Sequence, residues 1–351
     1  MSLVFLFFLL PSCYAYETVS INITQPQTHA PLNTALAYYK LAGFNGDDDY
    51  LTRGFYQTTC GSNFSFHYTE PSVWGNETGT RNKFILILTH GYPESSYIWR
   101  RVTSVSSSRL PVIVPDQPGC GLSTPYCNET GCAYDKRTYS RAIFKAVKHI
   151  YPGHGENATT SVVLAGDDCG GRLCIVPRWK MTILVSTPWA CSSPTSFPLW
   201  RRNFATDVIM AYGGGKWVDQ ILEYRSGESV QGIALFKADE AWQSYHTLFE
   251  QLAATNRSVF EYQAGGTIGY DWMAEDQKND RKVDIPTHVL LSEVNLGAQF
   301  DVLAVWTEYV HPSAGLTLSG IGEQNGHLII EEAPDETIEQ INAFIDKLGV
   351  D

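Results

Sequence analysis

A sharp, glycine-rich turn carries the first residues in this chain that could do chemistry. Residues 162–174 read VVLAGDDCGGRLC, so an apolar strand ends in Gly166 and two carboxylates, Asp167 and Asp168, follow at the tip. A strand-to-helix turn of this kind holds one side chain out of a strained backbone, and small neighbours such as Gly170 allow the backbone to pack closely. Asp168 stands at the tip, in the position of a nucleophile.

An aspartate in that position does different chemistry from a serine. A serine would form an acyl-enzyme from an ester, whereas an aspartate attacks a saturated carbon and becomes an alkyl ester itself. His327, much later in the chain, could activate water to hydrolyse that ester. The backbone N–H groups of Tyr92 and Cys169 are the expected donors to the oxyanion that then forms.

Three more motifs follow predicted strands. Residues 90–93 (HGYP) follow FILILT, residues 116–123 (DQPGCGLS) follow PVIVP, and residues 326–327 (GH) precede EEAP at 331–334. Apolar runs bounded by Gly and Pro are typical of strands buried on both faces of a parallel sheet. Because such sheets bind ligands at the carboxyl ends of their strands, we expect these motifs to meet Asp168 at one edge.

The order of these motifs, with the nucleophile before the histidine, resembles the α/β-hydrolase fold over roughly residues 84–345. Within that fold the GDDCGGR turn resembles the aspartate-nucleophile branch, which contains haloalkane and haloacetate dehalogenases and epoxide hydrolases. Further segments resemble the fluoroacetate dehalogenases: YDKRTYSRAIFKAVKHI, EYQAGG, and FDVLAVWTEYV with GHLIIEEAPDET. The resemblance implies an α/β fold with a mostly parallel central sheet and an inserted helical cap.

The chain is predicted to form a core interrupted by that cap. Residues 16–189 and 285–351 contain the apolar strands and the helical YSRAIFKAVKHIY, which is typical of an α/β core. Residues 190–284 lack a long apolar strand and hold helical stretches such as KWVDQILEYR and AWQSYHTLFEQLAAT. A length of 351 residues is enough for one large domain with an inserted module.

The resemblance also implies roles for individual residues. It makes Asp168 the nucleophile, His327 the base, Arg172 the partner of a substrate carboxylate, and Tyr262 of EYQAGG a cap donor to the leaving group. Arg172 is equally well interpreted as an ion-pair partner of Asp167.

Aromatic residues of the cap supply further donors. Trp200 is the expected second donor, with Trp189 and Trp217 as alternatives, although a buried tryptophan more often serves packing. Epoxide opening needs tyrosine hydroxyls that protonate an alkoxide, and the cap region offers five: Tyr212, Tyr224, Tyr245, Tyr262 and Tyr270.

Two residues beside the nucleophile depart from the pattern of these families. Asp167 stands where they often carry histidine, and two adjacent carboxylates raise one another's pKa unless a cation such as Arg172 intervenes. Cys169 replaces the second carboxylate-binding arginine of the haloacetate enzymes. Cys169 therefore favours an epoxide, whereas the EYQAGG segment favours a carbon–halogen bond.

The acid that would orient His327 is a third departure. Residues 182–190 (TILVSTPWA), where the fluoroacetate branch places it, hold no carboxylate. After the next strand, LLSEVNLG offers Glu293 and, at the usual acid position, Asn295, which could hold the ring without stabilising imidazolium by charge. We predict Glu293 as the third triad member and keep Asp301 in reserve, although Asp301 is better explained as a helix N-cap.

The amino-terminal residues and the sequons favour export. Residues 1–15 read as a signal peptide whose apolar core is too short to span a bilayer. Cys127 and Cys132 could close a disulfide in an oxidising compartment, and they lack the further ligands of a zinc site. Six sequons agree with a secreted glycoprotein: Asn22, Asn63, Asn76, Asn128, Asn157 and Asn256.

These features predict a secreted hydrolase that works through an aspartyl alkyl ester, on a carbon–halogen bond or an epoxide. A net charge of −12 argues against nucleic acid and anionic lipid as partners, so we expect a small organic substrate and no stable membrane association. Neither a metal nor a cofactor is predicted. The alternative is a small-molecule binding protein that keeps the fold but has lost catalysis, and the oligomeric state stays open.

Overall fold

The computed structural model describes residues 51–70, 84–126, 133–151, 161–175, 181–186, 202–322 and 324–349. Several positions considered above lie outside these ranges, namely residues 1–15, Cys127, Cys132, Trp189, Trp200, Asn22, Asn76, Asn128 and Asn157.

One sheet of eight strands runs through the described residues, and it confirms the α/β fold. Its strands are β1 (Thr52–Gln57), β2 (Asn63–Tyr68), β3 (Phe84–Thr89), β4 (Val112–Pro115), β5 (Ser161–Asp167), β6 (Met181–Ser186), β7 (Thr287–Ser292) and β8 (Leu316–Ile321). They lie in the order β1-β2-β4-β3-β5-β6-β7-β8. β2 is antiparallel to both of its neighbours, and all pairs from β4 to β8 are parallel.

Helices of the core cover both faces of the sheet. They are α1 (Arg100–Ser106), α2 (Lys136–Ile150), α9 (Leu296–Gln299), α10 (Val302–Tyr309), α11 (Ile329–Glu332) and α12 (Pro334–Lys347). Short 3₁₀ helices precede α1 at Ser96–Trp99 and follow β5 at Asp168–Ile175. The segment that begins at Asp168 is thus a compact 3₁₀ helix of eight residues.

Alternating side chains of the central strands enter two separate apolar cores. On one face Leu86 and Leu88 pack with α12, and on the other Ile85 and Ile87 pack with α2. Apart from Thr89, β3 and β4 consist of apolar residues, because helices exclude water from both of their faces. This burial keeps the strand ends, and the loops that follow them, in fixed register.

Helices fill the described residues between β6 and β7, where the sequence predicts the cap. They are α3 (Arg202–Tyr212), α4 (Gly214–Arg225), α5 (Val230–Lys237), α6 (Ala241–Phe249), α7 (Leu252–Gly266) and α8 (Ile268–Lys278), with a 3₁₀ turn at Ala238–Glu240.

A buried charge cluster fastens the cap to the core. Arg100 Nη1 donates to both carboxylate oxygens of Glu331 at 2.7 and 2.8 Å, and the hydroxyl of Tyr245 on α6 donates to the same carboxylate at 2.5 Å. Paired in this way, the buried charges avoid the penalty of an unpartnered ion. No helix in the described part of the chain has the length and apolarity needed to cross a membrane.

Candidate active site

The turn after β5 holds Asp168 in a conformation that side chains other than glycine rarely adopt. Asp168 has φ +43° and is fully buried, and a left-handed backbone at a non-glycine residue is typical of functional turns. The turn closes tightly: a Cβ on Gly166 would lie 2.5 Å from the carbonyl carbon of Gly170, and one on Gly170 would lie 2.5 Å from the oxygen of His90. The predicted need for glycine at both positions is therefore met.

The two carboxylate oxygens of Asp168 have different surroundings. Oδ2 accepts the backbone N–H of Tyr92 at 3.2 Å and lies 3.4 Å from Arg225 Nη1. Oδ1 accepts no hydrogen bond from the described residues, and it faces His327 Nε2 at 3.7 Å. The strand ends thus bring together Asp168, His327 and Tyr92, as the sequence predicts.

Asp168 keeps its charge in this buried position. Burial alone would raise the pKa of Asp168, but Arg225, His327 and the Tyr92 N–H together hold it below its ordinary value. The carboxylate is therefore ionised at neutral pH and able to act as a nucleophile.

His327 sits on a loop that is fixed to the cap. Its backbone N–H donates to the carbonyl oxygen of Arg225 at 2.8 Å. The carboxylate of Glu332 accepts the N–H of Gly326 at 2.7 Å and that of Gly227 at 3.0 Å. Burial raises the pKa of Glu332, while those N–H groups and His327 oppose the rise. Glu332 therefore positions the histidine loop against the end of α4.

Aromatic side chains pack around Tyr92, whose backbone N–H contacts Asp168. The ring of Tyr92 packs edge-on against Tyr262 and Phe249, with centroids 5.4 and 5.6 Å apart. Trp217 Nε1 donates to the Tyr92 hydroxyl at 3.0 Å, so this alternative tryptophan lies at the site. Burial raises the pKa of Tyr262, which keeps its hydroxyl protonated.

Among the five cap-region tyrosines, Tyr262 is the one that contacts Tyr92 and Arg225 beside Asp168. Tyr245 donates its hydroxyl to Glu331, away from Asp168. The other three are exposed: Tyr212, Tyr224 and Tyr270.

Arg225 is a site residue that sequence reasoning missed. It ends α4, and its Nη1 donates to the carbonyl oxygen of Tyr92 at 2.8 Å while Nη2 lies 3.5 Å from the Tyr262 hydroxyl. Within the sequence it is the last residue of an ordinary amphipathic stretch, KWVDQILEYR. No spacing or motif marks it, because its position depends on how the cap docks.

Arg172 and Cys169 follow Asp168 on the same 3₁₀ helix. Arg172 is buried and donates to Met273 Sδ at 3.5 Å, and it lines a pocket of about 770 Å³ whose walls include Glu261, Trp272 and Tyr309. Asp168 does not line that pocket, which opens between the cap and the core. Cys169 is buried and disulfide-bonded.

The structure shows the surroundings of the two predicted triad acids. Glu293 is exposed, and its carboxylate packs over Gly320 and Gly322. Asp301 accepts the N–H of Ala304 at 3.0 Å, which confirms its interpretation as a helix N-cap. Within the described residues, His327 makes an ion pair with no carboxylate other than Asp168.

Asp167 contacts another carboxyl group. Glu94 is completely buried, hydrogen bonds to the side chain of Asp167, and accepts the N–H of Gly91 at 3.1 Å. Burial raises the pKa of Glu94 well above its ordinary value, and the negative charges of Asp167 and Asp168 raise it further. Burial therefore disfavours a second negative charge on Glu94 beside Asp168.

Two sequon asparagines fall in the described residues. Asn63 is exposed at the start of β2, and Asn256 is half-buried within α7.

Comparison with known proteins identifies relatives of the same architecture. The chain is 24% identical over 274 residues to a soluble epoxide hydrolase of Corynebacterium sp. (strain C12), covering 74% of this chain and 89% of that protein. It is 23% identical over 282 residues to a fluoroacetate dehalogenase of Burkholderia sp., covering 74% and 86%.

Solved structures share the fold. A candidate epoxide hydrolase from Pseudomonas aeruginosa superposes with a TM-score of 0.68 at 19% identity, over 85% of this chain and 96% of that chain. Cfl2 from Burkholderia cenocepacia superposes with a TM-score of 0.64 at 18% identity, over 86% and 98%. The profile of the alpha/beta hydrolase family matches residues 86–340. The match spans far more than half of the chain, which therefore belongs to the alpha/beta hydrolase family of enzymes.

Proposed function

We propose that this hydrolase uses Asp168 as its nucleophile and His327 as its base, and that it cleaves a carbon–halogen bond or opens an epoxide in a small organic substrate. The observation that carries the proposal is the difference between the two Asp168 oxygens. Oδ2 accepts the Tyr92 N–H, whereas Oδ1 accepts no hydrogen bond from the described residues and faces His327 at 3.7 Å. An oxygen without donors keeps its lone pairs for attack.

The first step alkylates the enzyme. Asp168 Oδ1 gives an electron pair to a saturated carbon, and the bond from that carbon to a halogen or to the epoxide oxygen breaks with its pair on the departing atom. An alkoxide takes a proton from the hydroxyl of Tyr262, whereas a halide leaves without one. Asp168 is then a neutral ester.

The second step hydrolyses that ester. His327 Nε2 takes a proton from water as the water oxygen attacks the ester carbonyl carbon, and negative charge develops on Oδ2. The N–H groups of Tyr92 and Cys169 are the proposed donors to that charge. When the tetrahedral intermediate collapses, Oδ1 leaves with the product, and the alcohol takes the proton from His327. The second water proton remains on the Asp168 carboxyl and then returns to Tyr262 after epoxide opening, or passes to solvent after a halide has left, which restores the resting enzyme.

Glu293 remains our proposed third member of the triad because it follows β7, one strand before the strand that precedes His327. Loss of turnover in Glu293→Gln, with Asp301→Asn near normal, would support it. The reverse result would assign the role to Asp301.

Arg172 remains the proposed partner of a substrate carboxylate, in the pocket beside the site.

We also propose that the protein is exported and glycosylated. The apolar leader at residues 1–15 and the six sequons support export.

Single turnover in heavy-oxygen water tests the proposed reaction. A panel of a chromogenic epoxide, a haloacetate and a p-nitrophenyl ester first identifies a substrate. One turnover should then place the heavy isotope in the peptide that contains Asp168, while the peptide that contains Asp301 stays unlabelled. Product formed without label in Asp168 would rule out the aspartyl ester. Folded protein that turns over none of the three panel substrates would favour the alternative that it is a binding protein.

A further inference from the structure

Arg225 is a buried cation to which the two steps above give no role. Its side chain is 15% exposed and enters the site from the end of α4. Nη1 contacts the Tyr92 carbonyl oxygen and Asp168 Oδ2, and Nη2 contacts the hydroxyl of Tyr262. The guanidinium thus spans the distance from the nucleophile to the proposed leaving-group donor.

The charge of Arg225 is balanced by Asp168 in the resting enzyme. These two side chains form an ion pair in which Asp168 is completely buried. Glu94 also lies near Arg225, but burial raises the pKa of Glu94 well above its ordinary value, so Glu94 is a weaker counter-charge than Asp168. When Asp168 becomes a neutral ester, the guanidinium loses its partner, and an unpaired buried charge is strongly unfavourable. Binding of a second anion in place of the carboxylate is therefore favoured at that moment.

We propose that Arg225 and Tyr262 together form the binding site for the departing anion, a halide or the alkoxide of an opened epoxide. This inference rests on the proposed aspartyl-ester reaction. As the lone pair of Oδ1 forms the new carbon–oxygen bond, the pair of the breaking bond leaves on the halogen or the epoxide oxygen. One negative charge thereby moves from Asp168 to the leaving atom. Arg225 attracts this charge both before the reaction, on Asp168, and after it, on the leaving atom beside Tyr262.

The charge balance between Arg225 and Asp168 also limits the charge of the substrate group that binds beside Arg225. A substrate carboxylate bound at Arg225 would add a second negative charge beside the ionised Asp168. A neutral carbon–halogen or epoxide group adds none until Asp168 loses its own charge. The part of the substrate that faces Arg225 is therefore uncharged before the reaction, and any carboxylate binds elsewhere.

Bromide binding to the Asp168→Asn variant tests this site without turnover. The amide is nearly isosteric with the carboxylate and neutral, so it reproduces the charge of the ester intermediate. We expect Asp168→Asn to bind bromide about 10- to 100-fold more tightly than the wild type, as measured by bromide NMR line width at constant ionic strength. Adding Arg225→Gln should abolish the gain, whereas Arg225→Lys should keep most of it. Arg109→Gln, which removes a charge far from the site, should leave it unchanged.

Bromide-soaked crystals of Asp168→Asn should show anomalous density between Arg225 and Tyr262. If Asp168→Asn does not fold, Asp168→Ser, which is also uncharged at this position, takes its place in the bromide experiments. Equal bromide affinity with and without Arg225→Gln, or no gain over the wild type, would overturn the proposal. Because no substrate is turned over, this outcome is separate from the isotope result, which tests the aspartyl ester itself.

Discussion

The ionised state of Asp168 depends on a few neighbouring groups. Burial disfavours the charge, and Arg225, His327 and one backbone N–H restore it. Burial raises the pKa of a second carboxyl beside the turn, Glu94, and the negative charges of Asp167 and Asp168 raise it further, although Arg225 opposes the shift. The three neighbouring acidic residues are therefore unequal, because the cation that holds Asp168 ionised does less for Glu94.

Replacing Tyr262 by phenylalanine should separate the two candidate leaving groups. The variant loses the one described cap hydroxyl near Asp168, so opening of an epoxide should slow by about 10²- to 10⁴-fold, since the alkoxide lacks its proton donor. Turnover of a haloacetate should fall less, because a halide departs without a proton. Values of kcat/KM for both substrates measure the difference.

Tyr270→Phe is the matched control, because Tyr270 is exposed on α8. An equal loss in both tyrosine variants, or no loss for either substrate in Tyr262→Phe, would contradict the donor role.

At the scale of elements, the loops after β3 and β4 are tied together by one carboxylate. Asp116 accepts the N–H of Ser96 at 2.8 Å and that of Leu122 at 2.9 Å. Burial raises the pKa of Asp116 to about 6, against the effect of those N–H groups. The loop that carries Tyr92 is therefore braced by a group that titrates in the mildly acidic range.

The raised pKa gives Asp116 a defined pH dependence. The folded protein keeps this proton up to about pH 6, whereas the unfolded chain releases it near pH 4. The group therefore stabilises the fold most below about pH 4, and that contribution is lost as the pH rises to 6. Relative to Asp116→Asn, the wild type should lose roughly 2–3 kcal/mol over this range. Urea unfolding from pH 4 to 7 measures it, and parallel profiles would refute the assignment.

A charge cluster connects cap helix α7 to the core. Glu261 pairs with Lys136 of α2 and with Arg257 of its own helix. Both cations donate to Gln117 Oε1, at 3.0 and 2.8 Å, and the Gln117 N–H donates to His90 Nε2 at 3.1 Å. Burial lowers the pKa of Lys136 to about 8, and Glu261 opposes that change. Cap docking is thereby linked to the loop that precedes Tyr92.

Glu261→Gln should destabilise the protein by about 3–5 kcal/mol, because it leaves two buried cations without their carboxylate. The free energy of unfolding in urea provides the measurement. Glu275→Gln removes an exposed carboxylate that pairs with Arg281 on the surface, and it should leave the Tm within error. Similar effects of the two substitutions would show that the α7 cluster is not a stabilising contact.

For the whole molecule, the sequence predicts the features that depend on strand order. Apolar runs followed by glycine turns locate the strand ends, and parallel strands bring Asp168 and His327 to one edge. Arg225 and Glu332 could not be predicted, since their roles depend on the docking of the cap against the His327 loop. Strand β1 could not be predicted either, because TRGFYQ is only partly buried at the sheet edge.

If the protein is exported, the exposure of each sequon asparagine predicts which of them carries a glycan. Asn63 is exposed, whereas Asn256 is half-buried and is followed by the buried Arg257 and Ser258. Expressed in a secreting eukaryotic host, the protein should carry a glycan at Asn63 and little at Asn256. Peptide mapping after enzymatic deglycosylation checks the occupancy, and an unmodified Asn63 in secreted protein would contradict the expectation.

The alkyl-enzyme intermediate is the central claim, and the His327→Gln variant tests it most directly. Alkylation needs only the Asp168 carboxylate and the leaving-group donors, whereas hydrolysis of the ester needs the base, so this variant should stop after the first step. Mixed with a substrate of the wild-type enzyme, it should gain the mass of the alkyl group on the peptide that contains Asp168. An unmodified Asp168 peptide, with product still forming, would contradict the account.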